Sequence, residues 1–69
     1  MTEDQANYKR LLTLIEGAQW QAFTSEDGFA LRALLLVGYI VTTVTGDGRT
    51  RLALTVKGTH YLKVLRSES

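Results

Sequence analysis

Apolar residues near the start of the chain recur at the spacing of a helix. Four of them follow the i, i+3, i+4, i+7 rule for one helical face: Tyr8, Leu11, Leu12 and Ile15. This pattern predicts a first helix over residues 3–16. Thr2, followed by Gln5 three residues later, matches a capping box at the start of that helix. Gly17 is predicted to end it in the left-handed conformation.

The next stretch has no clear periodicity. Residues 18–24 fit either a short helical turn or an extended link, and Trp20 and Phe23 are expected to fill the space between the flanking helices. A second helix is predicted to begin at residues 24–25, where a hydroxyl side chain can cap it. It is predicted to stop at Gly38, which tolerates the backbone of a helix end.

The second helix is almost entirely apolar. Its core positions are expected at Leu31, Leu34 and Leu35, which leaves three aliphatic residues pointing outward: Ala33, Leu36 and Val37. Exposed aliphatic surface on a small domain marks an interface. If the helix is instead buried nearly all round, the same residues belong to the core. The sequence leaves both interpretations open.

The segment after Gly38 alternates as a strand does. Residues 39–45 are rich in β-branched side chains, which favour strands. Glycines at both ends of residues 46–48 predict a tight turn. The return strand, residues 49–54, then places Arg49 and Arg51 on the face opposite its leucines.

A last helix is predicted over residues 56–66. Thr55 is positioned to cap it, and its buried stripe is predicted from the helical spacing: Gly58, Tyr61, Leu62 and Leu65. Gly58 is expected to allow close packing of the helix. Residues 67–69 are expected to fray.

Three consecutive features carry a resemblance to a known superfamily. An apolar helix runs into Gly38-Tyr39-Ile40, a glycine-bearing hairpin follows, and Leu54-Thr55-Val56-Lys57-Gly58 opens the last helix. Residues 31–65 therefore resemble the second half of winged-helix (winged helix-turn-helix) regulators of the MarR and PadR kind. The resemblance implies one α+β, winged-helix-like domain over residues 1–69, in the order helix–helix–β-hairpin–helix.

The resemblance also implies a function, which is non-enzymatic regulation through double-stranded DNA by a dimeric protein. The helix before Gly38 would lie in the major groove and the hairpin, or wing, would touch the backbone. By this analogy Arg32 contacts the groove, Arg49 and Arg51 hold phosphates, and two lysines add positive field: Lys57 and Lys63. The alternative is a winged-helix module that binds protein or a second copy, rather than DNA, through Ala33, Leu36 and Val37.

Composition and charge restrict the choice further. The chain has 69 residues, enough for one domain, and it has no cysteine. Residues 1–27 carry a net charge of −3 and residues 28–69 a net charge of +4. This asymmetry favours an anionic partner on the hairpin side, although a solvated surface of mixed charge explains it equally well. We expect a cytoplasmic protein without a membrane span, because no export signal or long apolar run is visible.

The sequence offers little catalytic chemistry. His60 is its only histidine, and without a cysteine or a serine–acid arrangement beside it a surface role is expected. The turn Gly46-Asp47-Gly48 lacks the spacing of a phosphate-binding loop and leads into a strand. We therefore expect no enzyme activity, no metal site and no cofactor.

Overall fold

The computed structural model describes residues 2–68 and shows a small α+β domain with three helices and a two-stranded antiparallel hairpin. The helices are α1 (Glu3–Glu16), α2 (Gly28–Val37) and α3 (Val56–Ser67), and the strands are β1 (Ile40–Val44) and β2 (Thr50–Leu54). The order of elements is the predicted one. Ser67 is the last residue of α3, and Ser69 lies outside the described residues.

The start of α1 agrees with the prediction and its end corrects it. The Thr2 hydroxyl accepts the Gln5 N–H at 3.1 Å and the Gln5 side chain accepts the Thr2 N–H at 3.0 Å. At the other end Gly17 has φ −89°, and the left-handed residue is Ala18, with φ 54°. The N–H of Gln19 reaches back to the Leu14 carbonyl at 2.8 Å. This bond belongs to a Schellman motif in which Ala18, one residue after Gly17, takes the left-handed position.

The link between α1 and α2 consists of two short 3₁₀ turns, Trp20–Ala22 and Ser25–Asp27. The Trp20 and Phe23 rings stack with their centroids 6.1 Å apart, and both side chains pack against the core while half-buried. They fill the space between the helices, as expected. No full helix forms in this link, so α2 is preceded only by single turns.

The second helix ends as the glycine pattern predicts. Gly38 is left-handed, with φ 92°, and its N–H donates to the Leu35 carbonyl at 3.2 Å. The Tyr39 N–H donates to the Leu34 carbonyl at 3.0 Å, which completes a Schellman motif. The chain then enters β1 directly.

The third helix packs closely against the base of the hairpin. The Thr55 hydroxyl accepts the Gly58 N–H at 2.9 Å, as predicted for the cap. A Cβ added to Gly58 would lie 1.8 Å from the Tyr39 carbonyl oxygen. The Tyr39 ring also stacks on Tyr61 at 4.3 Å between centroids. Burial, and then the neighbouring Tyr39, raises the pKa of Tyr61.

One core joins all three helices to β1. Its buried side chains are Leu11, Leu12, Ile15, Leu34, Ile40, Leu62 and Leu65. The predicted stripes of α1 and α3 are therefore confirmed, and Tyr8 and Tyr61 border the core. The prediction for α2 is only partly right, because Leu34 is buried and Leu31 half-buried but Leu35 is 37% exposed. Only a narrow stripe of α2, centred on Leu34, is therefore enclosed.

A buried carboxylate ties α1 to the start of α2. Asp27 is 5% exposed, and its oxygens accept the Arg10 guanidinium at 2.7 Å and the Thr24 N–H at 2.9 Å. Arg10 also donates to the Asn7 side chain at 2.8 Å. The hydrogen bond from Arg10, followed by that from Thr24, lowers the pKa of Asp27. The sequence showed Asp27 only as an acid near a helix start, and the pairing with Arg10 is a tertiary contact.

This carboxylate predicts an acid-sensitive domain. The folded pKa of Asp27 lies below its unfolded value of about 3.9, so its contribution to stability is complete near neutral pH and is lost as the pH falls through the folded pKa. We expect Asp27→Asn to lower the melting temperature at neutral pH and to flatten its decline below about pH 5. Melting curves from circular dichroism test this, with exposed Asp4→Asn as the control. Equal acid sensitivity in native protein and Asp27→Asn would contradict it.

Candidate nucleic-acid and protein interfaces

The hairpin has an inner and an outer face, which its register defines. Ile40 pairs with Leu54 and is buried, and the pairs Val41–Ala53 and Thr43–Arg51 lie on the opposite face. Because strand residues alternate between faces, the predicted placement of Arg51 on the face away from the leucines is confirmed, whereas Arg49 precedes β2 and belongs to the turn. The outer face is mostly exposed, so its side chains meet solvent.

An aspartate braces the turn of the hairpin. Asp47 accepts hydrogen bonds from the Thr45 hydroxyl and, at 3.3 Å, from the Arg49 N–H. Gly48 takes φ 82°, the left-handed conformation that the turn requires. The bond from the Thr45 hydroxyl, followed by that from the Arg49 backbone, lowers the pKa of Asp47. The turn therefore holds a stable negative charge next to the first hairpin arginine.

The two hairpin arginines differ in their surroundings. The Arg49 Nε lies 3.6 Å from an Asp47 oxygen, but its side chain is 76% exposed. An exposed ion pair of this kind contributes little to stability, so the guanidinium is available to solvent. Arg51 is exposed and forms no ion pair with any of residues 2–68. Two residues of strand separate the arginines by about 7 Å, so both can act on one anionic surface.

The other predicted DNA-binding residues lie on separate elements. Arg32 is exposed on α2, and Lys63 is exposed on α3. Lys57 is engaged within the domain, because its Nζ donates to the Val37 carbonyl at 3.0 Å and lies 5.2 Å from the centre of the Tyr39 ring. It satisfies a carbonyl that the end of α2 leaves unpaired. The structure therefore brings together only Arg49 and Arg51 of the predicted set.

An apolar strip runs along the solvent side of α2. Phe29 is 88% exposed and Leu36 83% exposed, and the half-buried Ala33 lies between them. Val37 is half exposed beside Leu36. The hypothesis that all these aliphatic residues belong to the core is wrong for Leu36 and Val37, whereas Ala33 is partly covered rather than outward. We call Phe29, Ala33, Leu36 and Val37 the α2 strip.

The sequence pattern alone did not identify two exposed apolar residues, Phe29 in the α2 strip and Val56 beside it. Phe29 lies seven residues before Leu36, so the helical period alone places both on one face. Val56 is 91% exposed at the start of α3. The Thr55 hydroxyl donates to the Gly38 carbonyl at 2.7 Å, which sets Val56 next to the end of α2. No sequence signal connects Val56 to α2, because only the fold brings those two helix ends together.

The candidate metal-binding side chains are scattered in the part of the chain that the structure describes. Within residues 2–68 no three His, Cys, Asp or Glu side chains come together as metal ligands. An open hollow of about 300 Å³ is lined by four consecutive residues, Ala18 to Gln21, and none of them is ionisable. His60 is exposed on α3, as predicted. None of the helices between residues 2 and 68 has the length and apolar character of a membrane span.

Comparisons with known proteins leave the site to be interpreted from its own geometry. No protein family, no curated protein and no solved structure matches this chain.

Proposed function

We propose that this protein is a winged-helix-like domain that binds the backbone of double-stranded DNA through its hairpin. The observation that carries this proposal is the pair of exposed arginines, Arg49 and Arg51, on the outer face of β2 and the turn before it. Guanidinium groups bind phosphate oxygens through paired hydrogen bonds. Thr43, opposite Arg51 in the register, adds an exposed hydroxyl that can also reach a phosphate.

The order of elements supports the same proposal. A helix that ends at a left-handed glycine, an antiparallel hairpin, and a helix packed on the base of that hairpin is the arrangement expected of a winged helix. In such domains the hairpin contacts the backbone beside the helix that precedes it. The hairpin of this protein is short and its tip is exposed, which suits a backbone contact.

The apolar composition of α2 limits how well the domain can distinguish one DNA sequence from another. Arg32 is its only charged side chain, and the exposed remainder of the helix is apolar. Apolar side chains offer base edges no hydrogen bonds and distinguish only the thymine methyl group. Exposed Glu26, just before α2, also repels phosphate. We therefore propose binding with little sequence preference, with a Kd of about 10⁻⁴ to 10⁻⁶ M at physiological salt.

Salt dependence tests the hairpin contact. Fluorescence anisotropy with a labelled random-sequence duplex, repeated over a series of salt concentrations, gives the slope of log K against log salt. Each phosphate contact contributes about 0.9 to that slope, so Arg49→Ala with Arg51→Ala should lower its magnitude by about 1.8. Affinity should fall equally for all duplex sequences, because the contacts are to the backbone.

A charge-matched variant provides the control. Lys9→Gln with Arg66→Gln removes two positive charges outside the hairpin and should change the slope much less than the hairpin pair does. Absence of binding at low salt would overturn the proposed function. An equal loss of slope in both double variants would show that net charge, rather than the hairpin, governs binding.

A further inference from the structure

The free edge of β1 is the most exposed part of the hairpin backbone. Residues 41–44 are all exposed, whereas residues 52–54 of β2 are half-buried and α1 packs beside them. Every residue of β1 is uncharged and β-branched, and its register with β2 runs without a bulge. Natural sheets protect their open edges with charges, prolines or bulges, so a strand that lacks them is ready to pair with another strand.

The hydrogen bonds of the hairpin fix which backbone groups point away from β2. Bonded and non-bonded pairs alternate along an antiparallel ladder. At the tip, the Thr45 N–H donates to the Arg49 carbonyl at 2.8 Å. At the base, the Thr55 N–H donates to the Tyr39 carbonyl at 3.1 Å. The odd-numbered residues of β1 therefore bond to β2, and the outward N–H and C=O groups belong to the even-numbered residues: Ile40, Thr42 and Val44.

We propose that this edge pairs with β1 of a second copy of the chain. The two strands run antiparallel about a two-fold axis at Thr42, and the two hairpins form one four-stranded sheet. Outward groups meet only when even-numbered residues stand opposite each other, and the register centred on Thr42 is the one that pairs the whole strand. A two-fold contact of this kind uses the same surface on both copies.

This register covers an apolar side chain that the single domain leaves in solvent. Val44 is 74% exposed and lies on the same face of β1 as the buried Ile40. In the paired strands, Val44 of each copy stands opposite Ile40 of the other, at the margin of the other copy's core. Val44 therefore loses contact with water on pairing, which favours association.

Charges near the two ends of β1 are complementary in the same register. Thr45 of one copy stands level with Tyr39 of the other, because both residues continue the ladder of β1. The Thr45 hydroxyl donates to the Asp47 carboxylate. The Lys57 Nζ lies 5.2 Å from the centre of the Tyr39 ring. Asp47 of each copy therefore approaches Lys57 of the other, and two equivalent pairs of opposite charge favour this alignment.

The arginines of β2 do not oppose the pairing. In the four-stranded sheet the two Arg51 side chains are three strand spacings and two residues apart, which is roughly 16 Å. This separation exceeds the Debye length of about 8 Å at physiological ionic strength. Arg51 and the neighbouring α1 also protect the other edge of the hairpin, so the assembly stops at a dimer.

Replacing one outward N–H tests the edge directly. Sedimentation equilibrium over a range of protein concentrations should give a reversible dimer for the native chain. Thr42→Pro removes an N–H that points away from β2, so the hairpin keeps its own ladder while the dimer weakens about tenfold or more. Thr42→Val is the matched control, because it keeps both the N–H and a β-branched side chain, and it should remain dimeric.

A charged side chain tests the apolar contact. Val44→Lys places an ammonium group beside Ile40 of the other copy and should weaken the dimer about tenfold or more. Leu36→Lys is the matched control, since Leu36 is 83% exposed on α2, and it should leave the dimer unchanged. Both side chains are exposed in the single domain, so neither change should unfold it, as circular dichroism verifies.

Disulfide cross-linking tests the register, because the native chain has no cysteine. Val41 of each copy stands opposite Thr43 of the other in a non-bonded pair, whose Cα atoms lie about 4.5 Å apart and can be bridged. An equimolar mixture of Val41→Cys and Thr43→Cys should form the mixed disulfide several times faster than either variant forms its own. Equal rates would contradict the register centred on Thr42.

The outcomes separate this edge from other surfaces of the domain. A monomer at every concentration, or a dimer that Thr42→Pro and Val44→Lys leave intact, would overturn the proposal. Equal weakening by Leu36→Lys would assign the contact to α2 instead. If Thr42→Pro fails to fold, Val44→Lys and the cross-linking rates decide the outcome. The dimer does not depend on DNA binding, since none of these changes replaces Arg49 or Arg51.

Discussion

Gly58→Ala should lower the free energy of unfolding by at least about 3 kcal/mol. An added Cβ would lie 1.8 Å from the Tyr39 carbonyl oxygen and 2.8 Å from its carbonyl carbon. Tyr39 cannot retreat, because its carbonyl accepts the Thr55 N–H at 3.1 Å and it follows the left-handed Gly38. The helix must therefore move away from the hairpin, and overpacking against backbone exceeds the usual cost of about 1–3 kcal/mol.

Gly28→Ala is the control for this change and should act in the opposite direction. Gly28 is also a helical glycine, with φ −56° and ψ −41°, but no atom lies within 4 Å of an added Cβ. Alanine at this position should raise the free energy of unfolding by about 0.5–1 kcal/mol, because it restricts the unfolded chain. Urea denaturation followed by circular dichroism measures both variants. Similar stabilities for the two would show that α3 does not touch Tyr39 as described.

Leu34→Ala should produce the second large loss, about 2–5 kcal/mol. Leu34 is 2% exposed and is the one fully buried side chain that α2 contributes to the core. Its removal loses transfer free energy and leaves a cavity between α1, the hairpin and α2. A domain of 69 residues has only about 3–10 kcal/mol of total stability. The variant should therefore be largely unfolded at moderate temperature.

Leu36→Ala is the control for Leu34→Ala, because both residues lie on α2. Leu36 is 83% exposed, so its truncation should change the stability of the monomer by no more than about 0.5 kcal/mol. Both variants must be compared at low protein concentration, where association does not contribute. A large loss for Leu36→Ala under those conditions would place it in the core and remove the α2 strip.

Part of the candidate site was predictable from short-range pattern. The alternation of residues along the return strand placed Arg51 on the face opposite the leucines, as the register confirms, and Arg49 is exposed in the turn just before that strand. The helical period would also have placed Phe29 with Leu36, because both observations depend only on backbone geometry. The exposure of Phe29 and Leu36 could not be predicted in this way, since periodicity does not show which faces of a helix pack against other elements.

For other residues, the sequence could not show the contacts that they make with distant parts of the chain. Lys57 has the charge of a DNA-binding residue, but it reaches the Val37 carbonyl 20 positions earlier in the chain. Asp27 resembles any acid at a helix start, but it meets Arg10 from α1. Ala18, rather than Gly17, is left-handed because the last hydrogen bonds of α1 extend one residue further than expected.

The sequence by itself determined the three helices, the caps Thr2 and Thr55, the helix end at Gly38 and the hairpin, because each follows from spacing, capping residues and turn glycines within a few positions. The tertiary structure alone decided which side of α2 is enclosed, leaving Leu36 in solvent and Leu34 in the core. It also decided that Gly58 must be glycine, through its contact with Tyr39. The physical reason is that burial depends on which elements pack together, and packing joins residues that are far apart in the chain.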